Sequence, residues 1–149
     1  MTWAQQVYNG LVQSNLTAYL YWEAVQDGNT NEKMIKIVNN EVTVSKRFWA
    51  MAQFSRFVRP GAVRVQTAGA NLKTSAFLNT DGTLAVQVLN TGSSAATVNF
   101  AVQGMNSTSV TAWLTDNKND LNSTTATLGP DGSVTGAVPA RGMVSFVLK

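Results

Sequence analysis

The chain has 149 residues, a net charge of +3, 44% apolar residues and a mean hydropathy of −0.03. This length and composition predict one globular domain with its own core, or a small domain plus an attached segment. The sequence contains neither Cys nor His, which excludes disulfides, thiolate nucleophiles, the usual zinc sites and every His-based catalytic triad.

The charge pattern and hydropathy exclude two classes of partner. The basic residues form no run, whereas phosphate binding needs clustered basic side chains, so we expect no nucleic acid. No apolar run approaches the ~20 residues that span a bilayer, so we expect no membrane partner. The first residues lack a charged leader followed by an apolar segment, so no signal peptide is expected in this sequence. We expect no metal and no cofactor.

The first part of the chain predicts mixed helix and strand. Residues 2–14 have apolar side chains at helical spacing and predict an amphipathic helix. The apolar, aromatic-rich run 16–25 is typical of a strand buried on both faces, as in a parallel α/β sheet. Residues 26–45 predict a loop that contains an apolar patch at 34–38. Because a lone buried strand leaves its edges unpaired, residues 1–58 are expected to be part of something larger.

A second helix, predicted at 46–58, divides the chain. Its apolar residues recur at every third position and form one broad face. These residues are Phe48, Met51, Phe54 and Phe57. The pair Pro60-Gly61 ends the helix, because a residue before proline avoids the helical region. After this helix the pattern is typical of β-structure alone.

Residues 62–149 alternate apolar and polar side chains in short runs at roughly ten-residue spacing, which predicts a β-sandwich of about eight strands. Turn pairs such as Asp81-Gly82 separate the runs. Phe100 and Phe146 share the apolar side of their runs and are predicted core residues. Trp113 is out of phase with its apolar neighbours, so it points to the polar face, where it either packs on the helix 46–58 or stacks on a ligand. The predicted fold is mainly β, a two-sheet antiparallel sandwich with two helices beside it.

Five motifs in this order resemble the C-terminal part of glycoside hydrolase family 30, in its endo-xylanase and endo-galactanase branch. They are Tyr19–Val25, Phe54–Gly61, Asn79–Asn90, Ala112–Thr115 and Pro139–Val147. The resemblance implies a (β/α)8 barrel fused to a side β-sandwich. Residues 1–60 then correspond to a helix-strand-helix remnant of the barrel, and residues 61–149 to the side domain. Family members also add a strand or so to that domain from their own N-terminus.

The resemblance places the family's two catalytic glutamates at the ends of barrel strands four and seven, and no position in this sequence matches either. We therefore expect no catalytic residue here. Trp22 resembles the floor of the family's sugar subsite, with burial in a core as the alternative. Glu23 beside it is expected to be a hydrogen-bonded carboxylate at a strand end. Tyr21 is expected to face the other way and to pack. The predicted substrate-binding set is Trp22, Tyr21, Glu23 and Trp113.

Three functional hypotheses follow from the resemblance. The first is a non-catalytic accessory domain that binds xylan or a related polysaccharide. The second is a truncated or split endo-β-1,4-xylanase or endo-galactanase, active only with the missing barrel, and the third is a domain that only stabilises the barrel. Loop 26–45 has no arginine, so glucuronoxylan specificity is in doubt. The apolar faces of residues 1–60 predict a homo-oligomer or docking to a barrel, and the family implies an extracellular protein.

Overall fold

The computed structural model describes residues 2–69 and 71–149, which form two helices and twelve strands. Helix α1 (Thr2–Tyr8) continues into a π-helical turn at Asn9–Gln13, and helix α2 spans Lys46–Ser55. The strands are β1 (Val25–Asp27), β2 (Ile35–Val38), β3 (Glu41–Val44), β4 (Val63–Val65), β5 (Lys73–Leu78), β6 (Leu84–Asn90), β7 (Ala96–Ala101), β8 (Val110–Thr115), β9 (Asp120–Thr124), β10 (Ala126–Leu128), β11 (Ser133–Val138) and β12 (Gly142–Leu148). The mainly-β prediction is confirmed.

The sandwich consists of two antiparallel sheets of unequal size. The large sheet has the order β4-β5-β6-β12-β8-β9, and the small sheet has the order β10-β11-β7. Strand β12 lies at the centre of the large sheet, where it pairs with both β6 and β8. Its side chains alternate between the small sheet on one face and the helices on the other, so both faces are buried. The sandwich predicted from the period-2 runs is therefore confirmed.

The two sheets lie close together at Gly136 in β11. A Cβ atom there would lie 2.5 Å from Cε1 of Phe146, so any larger residue would collide with that ring. Phe146 is fully buried and packs edge-to-face on Phe100, with ring centroids 5.5 Å apart. The prediction that Phe146 is a core residue is confirmed, and Phe100 packs against the same core from the small sheet.

The small sheet covers only part of the large one. A cavity of about 940 Å³ opens beside β7, between its inner face and strands β4 to β6. Val63 and Leu78 form a pair across β4 and β5, and both side chains are exposed. The cavity, the uncovered face and the unpaired edge of β7 could accommodate one more strand. That family members supply such a strand from their N-terminus stays a prediction.

The helices pack on the outer face of the large sheet. Ala4 and Val7 of α1 meet Ala50 and Phe54 of α2, and this cluster continues onto Leu89 of β6 and Met143 of β12. Of the apolar face predicted for the second helix, Phe54 is buried and Met51 packs against this cluster, whereas Phe48 and Phe57 lie outside it. That helix is shorter than predicted, because the regular turns end at Ser55 rather than at residue 58.

The prediction of a buried strand at residues 16–25 is wrong. Residues 14–24 form neither helix nor strand, and only Val25–Asp27 pair, in parallel with β2. A strand that is buried on both faces needs a neighbouring strand on each side. In the described part of the chain, β2 is the only strand beside residues 16–27, so most of residues 16–25 have no strand to pair with.

The loop predicted at 26–45 contains a β-hairpin that the sequence analysis missed. Strands β2 and β3 pair antiparallel from Ile35–Val44 to Val38–Glu41. The two residues between them, Asn39 and Asn40, have φ values of 51° and 64°. A two-residue turn with both φ values positive matches the right-handed twist of a hairpin, and asparagine tolerates that conformation well.

Candidate functional site

Trp22 is the most exposed aromatic side chain among the predicted site residues. It is 83% accessible, so the alternative that it is a core residue is wrong. It lies in the irregular segment before β1, and its peptide bond to Glu23 is cis. An indole face presented to solvent can stack on the apolar C–H face of a sugar ring, which favours the binding alternative.

Tyr21 packs against other side chains, as predicted. It is half-buried, and its ring meets the Trp3 ring edge-to-face with centroids 4.9 Å apart. Its hydroxyl accepts a hydrogen bond from Arg47 Nη1 and donates one to the Glu32 carbonyl, each 2.5 Å long. Tyr21 therefore fixes the backbone on one side of Trp22.

Glu23 fixes the backbone on the other side of Trp22, through its main chain. Its carbonyl accepts a hydrogen bond from the Met34 amide (3.1 Å), next to the bond from the Ile35 amide to the Ala24 carbonyl (2.9 Å). The Glu23 carboxylate differs from its prediction, because Oε2 is buried and has no hydrogen-bond partner in the described part of the chain. A buried acceptor without a partner is a cost to the fold rather than a stabilising contact.

Trp113 belongs to a different surface. Its ring lies 6.0 Å from the Phe57 ring at an angle of 34°, and the Arg56 guanidinium carbon lies 4.4 Å from its centroid. These contacts agree with packing beside the second helix, one of the two predicted alternatives. Arg47 and Arg56 are nine positions apart, so a helical rise of about 1.5 Å per residue separates their backbone positions by roughly 13 Å.

The structure shows one contributor that the sequence analysis missed, Arg47. Its guanidinium carbon lies 4.9 Å from the centroid of Trp3 and 5.8 Å from that of Tyr21, and Nη2 lies 3.4 Å from Asn31 Oδ1. In the sequence, Arg47 is one basic residue at the start of the second predicted helix. Nothing local in the sequence indicates that α1, residue 21 and the loop converge there, because these segments are far apart along the chain.

The other carboxylates occupy turns rather than an active site. Asp81 and Asp131 each accept hydrogen bonds from the backbone amide and the hydroxyl two residues later, and these bonds lower the pKa of both carboxyls. Burial raises the pKa of Asp116, but the hydrogen bonds from Lys118 and Asn119 lower it by more. The pKa of Asp116 is therefore below its usual value of 3.8. The hydroxyl of Thr30 lowers the pKa of the exposed Glu32.

Residues 2–69 and 71–149 contain no group of three or more acidic side chains arranged to hold a metal ion. Within the same ranges, no helix has both the length and the apolar character needed to cross a bilayer. Lys33 is buried, and its ammonium donates to the Asp27 carbonyl (2.8 Å). Its charge therefore stabilises the loop before β2 rather than facing solvent.

Comparison of the sequence and of the structure with known proteins finds relatives of the same kind. Over 148 residues the chain is 26% identical to the glucuronoxylanase XynC of Bacillus subtilis (strain 168), covering 97% of this chain and 33% of that protein. The solved catalytic domain of GH30 xylanase C from Talaromyces cellulolyticus superposes with a TM-score of 0.92 at 35% identity, covering 99% of this chain and 34% of that one. A GH30 endoxylanase from Clostridium papyrosolvens C71 gives a TM-score of 0.84 at 26% identity, covering 99% and 37%.

The chain thus spans about a third of the length of these relatives. The model of the glycosyl hydrolase family 30 beta sandwich domain matches residues 61–146, which include strands β4 to β11 and most of β12. The resemblance stated from the five motifs is therefore confirmed. This chain belongs to glycosyl hydrolase family 30, of which it contains the β-sandwich domain.

Proposed function

We propose that this chain is a non-catalytic accessory domain that holds a xylan-like polysaccharide through an aromatic platform at Trp22. The exposure of that indole, 83%, is the observation that carries the proposal. Trp22 shares one stretch of the chain with the exposed Leu20 and Val25, and exposed apolar surface that is contiguous marks an interaction site.

The choice of polysaccharide rests on the relatives. Two of the similar solved structures are described as a xylanase and an endoxylanase, and the curated relative as a glucuronoxylanase. A xylan-like chain is therefore the first ligand to test, and an extracellular location suits such a polymer. Because Trp113 packs against Phe57 and Arg56, it contributes to the domain interface and is a weaker candidate for binding.

The binding proposal is tested by affinity electrophoresis in gels that contain soluble xylan. We expect the wild-type chain to be retarded relative to a gel without polysaccharide, and Trp22→Ala to lose that retardation. Val63→Ala is the control, because Val63 is an exposed apolar side chain on the sandwich and offers no aromatic face. Equal migration of wild type and Trp22→Ala in xylan gels would contradict the proposal.

The absence of hydrolysis follows from the same proposal. Retaining glycosidases need two carboxylates about 5–5.5 Å apart. The acidic residues of the sandwich are Asp81, Asp116, Asp120 and Asp131, and three of them serve in turns. We expect no release of reducing sugar from xylan by the purified chain. Release that disappears when one of the eight acidic residues is replaced would contradict this expectation.

A second function, part of a split or truncated hydrolase, is favoured by a different observation. The segment before α2 exposes Leu20, Val25, Val42 and Val44, which are apolar side chains suited to a core. A barrel supplied by another polypeptide would cover them. Mixing the chain with a separately produced barrel fragment of a relative tests this function. Complementation would appear as xylanase activity that neither part has alone.

A further inference from the structure

Arg47 forms the centre of a cluster that joins three separate parts of the chain. Its guanidinium lies over the ring of Trp3 from α1, donates to the hydroxyl of Tyr21 and approaches the Asn31 side chain. The Tyr21 hydroxyl in turn donates to the Glu32 carbonyl. One side chain at the start of α2 therefore connects the first helix, the segment before β1 and the loop before β2.

The segment held by this cluster has no regular secondary structure, and its other contacts lie before Leu20: Tyr19 packs against the helices, and Asn15 accepts a hydrogen bond from Arg64. Residues 14–24 contain no helix or strand. Leu20 and Trp22, on either side of Tyr21, are 90% and 83% exposed and contribute almost nothing to a core. The Tyr21 side chain therefore anchors the stretch directly before Trp22, and the Glu23–Met34 backbone bond anchors the stretch directly after it.

The chemistry of the cluster suits arginine specifically. In the described part of the chain Arg47 has no carboxylate partner, and the ion pair recorded there joins Lys46 to Asp120. Arg47 instead uses its planar face on aromatic rings and its separate N–H groups on two neutral acceptors. A lysine ammonium is a compact point charge that cannot stack and donate in two directions in this way.

We propose that Arg47 is a positioning residue that holds Trp22 in its solvent-facing orientation through Tyr21. It does not touch the sugar in this proposal, and it acts by limiting the motion of the platform before the ligand arrives. A platform ordered in advance loses less conformational entropy on binding, so its affinity is higher. The proposal rests on the proposed function for its effect on affinity, but not for its effect on the order of Trp22.

The first test measures the order of Trp22 without any ligand. The chain contains four tryptophans, and their indole N–H signals in an ¹⁵N-labelled sample are assigned by conservative replacement, with Trp22→Phe identifying Trp22. We expect Arg47→Lys to lower the heteronuclear NOE of the Trp22 indole while the Trp113 indole stays unchanged. Tyr21→Phe removes the hydroxyl but keeps the ring on Trp3, and we expect it to act in the same direction.

Arg56 provides a matched control at the other end of α2. It also stacks on a tryptophan, with its guanidinium carbon 4.4 Å from the Trp113 centroid. We expect Arg56→Lys to change the Trp113 indole and to leave Trp22 as in the wild type. A thermal melt of each variant shows that the sandwich is intact, and if Arg47→Lys fails to fold, Tyr21→Phe carries the test.

The second test measures affinity for xylohexaose by calorimetry. We expect Arg47→Lys to weaken binding about tenfold and Arg56→Lys to leave it unchanged. If the wild type does not bind, the proposed function fails, and the indole measurement still decides the role of Arg47. An unchanged Trp22 NOE in both Arg47→Lys and Tyr21→Phe would overturn the positioning role, whatever the affinities.

Discussion

Gln53 shows how one buried polar residue fixes a helix to a sheet. It is fully buried on α2, and its side-chain amide donates to the Trp113 carbonyl (3.0 Å), the Thr115 hydroxyl (2.9 Å) and the Met143 carbonyl (3.3 Å). The hydroxyl of Ser145 lies 2.5 Å from its side-chain oxygen. Each of these groups is hidden from water, so each needs this partner.

Replacement of Gln53 by methionine should destabilise the protein. The volume is retained and the Ser145 hydroxyl keeps its bond to the backbone carbonyl of residue 53 (3.0 Å), but the buried Thr115 hydroxyl loses its partner. An unsatisfied buried group costs about 1–3 kcal/mol. We expect the free energy of unfolding in urea to fall by roughly that amount or more. Adding Thr115→Val should recover part of the loss, because it removes the unpaired hydroxyl. An exposed control, Gln103→Met, should have almost no effect.

At the scale of elements, the turn between β8 and β9 is organised by Asp116. Its Oδ1 accepts hydrogen bonds from the Lys118 amide (2.7 Å), the Asn119 amide (2.8 Å) and the Asn119 side chain (2.9 Å). Burial raises the pKa of Asp116, but these bonds favour the charged form and lower the pKa overall, below 3.8. The carboxylate therefore stabilises the turn only while it is ionised.

The sign of the pH dependence follows from this lowered pKa. The unfolded chain binds a proton at Asp116 at a higher pH than the folded chain, so the stabilisation is present above 3.8 and is lost as the pH falls through the folded pKa. Asp116→Asn keeps an acceptor but removes the charge. We expect it to lower the free energy of unfolding at pH 7 by less than about 1 kcal/mol, because solvent screens the site.

Urea titrations at pH 7 and at successively lower pH test this prediction. The difference between Asp116→Asn and wild type should shrink once the pH falls below 3.8. Asn117→Ser in the same turn does not titrate, so its small effect should be the same at every pH. A difference for Asp116→Asn that stays constant across the series would show that the charge contributes nothing.

The elements that sequence analysis predicted correctly are those with local signals. The period-2 runs of residues 62–149 record which face of each strand is buried, and turn residues such as Asp131-Gly132 end the runs, so the sandwich was predictable. The hairpin of β2 and β3 also had a local signal, the pair Asn39-Asn40 between two alternating runs. The sequence analysis interprets residues 34–38 as an apolar patch within a loop, and it therefore does not predict this hairpin.

The candidate site was predictable only in part. The resemblance indicated Trp22, and the exposure of its side chain is consistent with that role. The strand that should carry it does not form, because pairing of residues 16–25 depends on strands that the described residues do not supply. Arg47 could not be assigned, because its partners Trp3 and Tyr21 belong to segments that meet only in the folded protein.

At the scale of the whole molecule, the two halves of the chain differ in how completely they bury apolar side chains. The sandwich has a continuous core, with Phe146, Val144 and Leu148 fully inaccessible. The N-terminal 60 residues expose Leu20 and Val42 among several other apolar side chains. Exposed apolar surface of this kind marks a region that another molecule covers.

We predict that the isolated chain covers this surface by self-association. Light scattering at micromolar concentration should give a mass above that of a monomer, and the pair Leu20→Ser with Val42→Thr should restore the monomer because it removes apolar area from the N-terminal region. Val63→Thr with Leu78→Thr is the matched pair at the open end of the sandwich, where both side chains are also exposed. It should leave the oligomer intact. A monomeric wild type would contradict self-association. If only Val63→Thr with Leu78→Thr dissociates the oligomer, the interface lies at the open end of the sandwich, beside the unpaired edge of β7, and not at the N-terminal region.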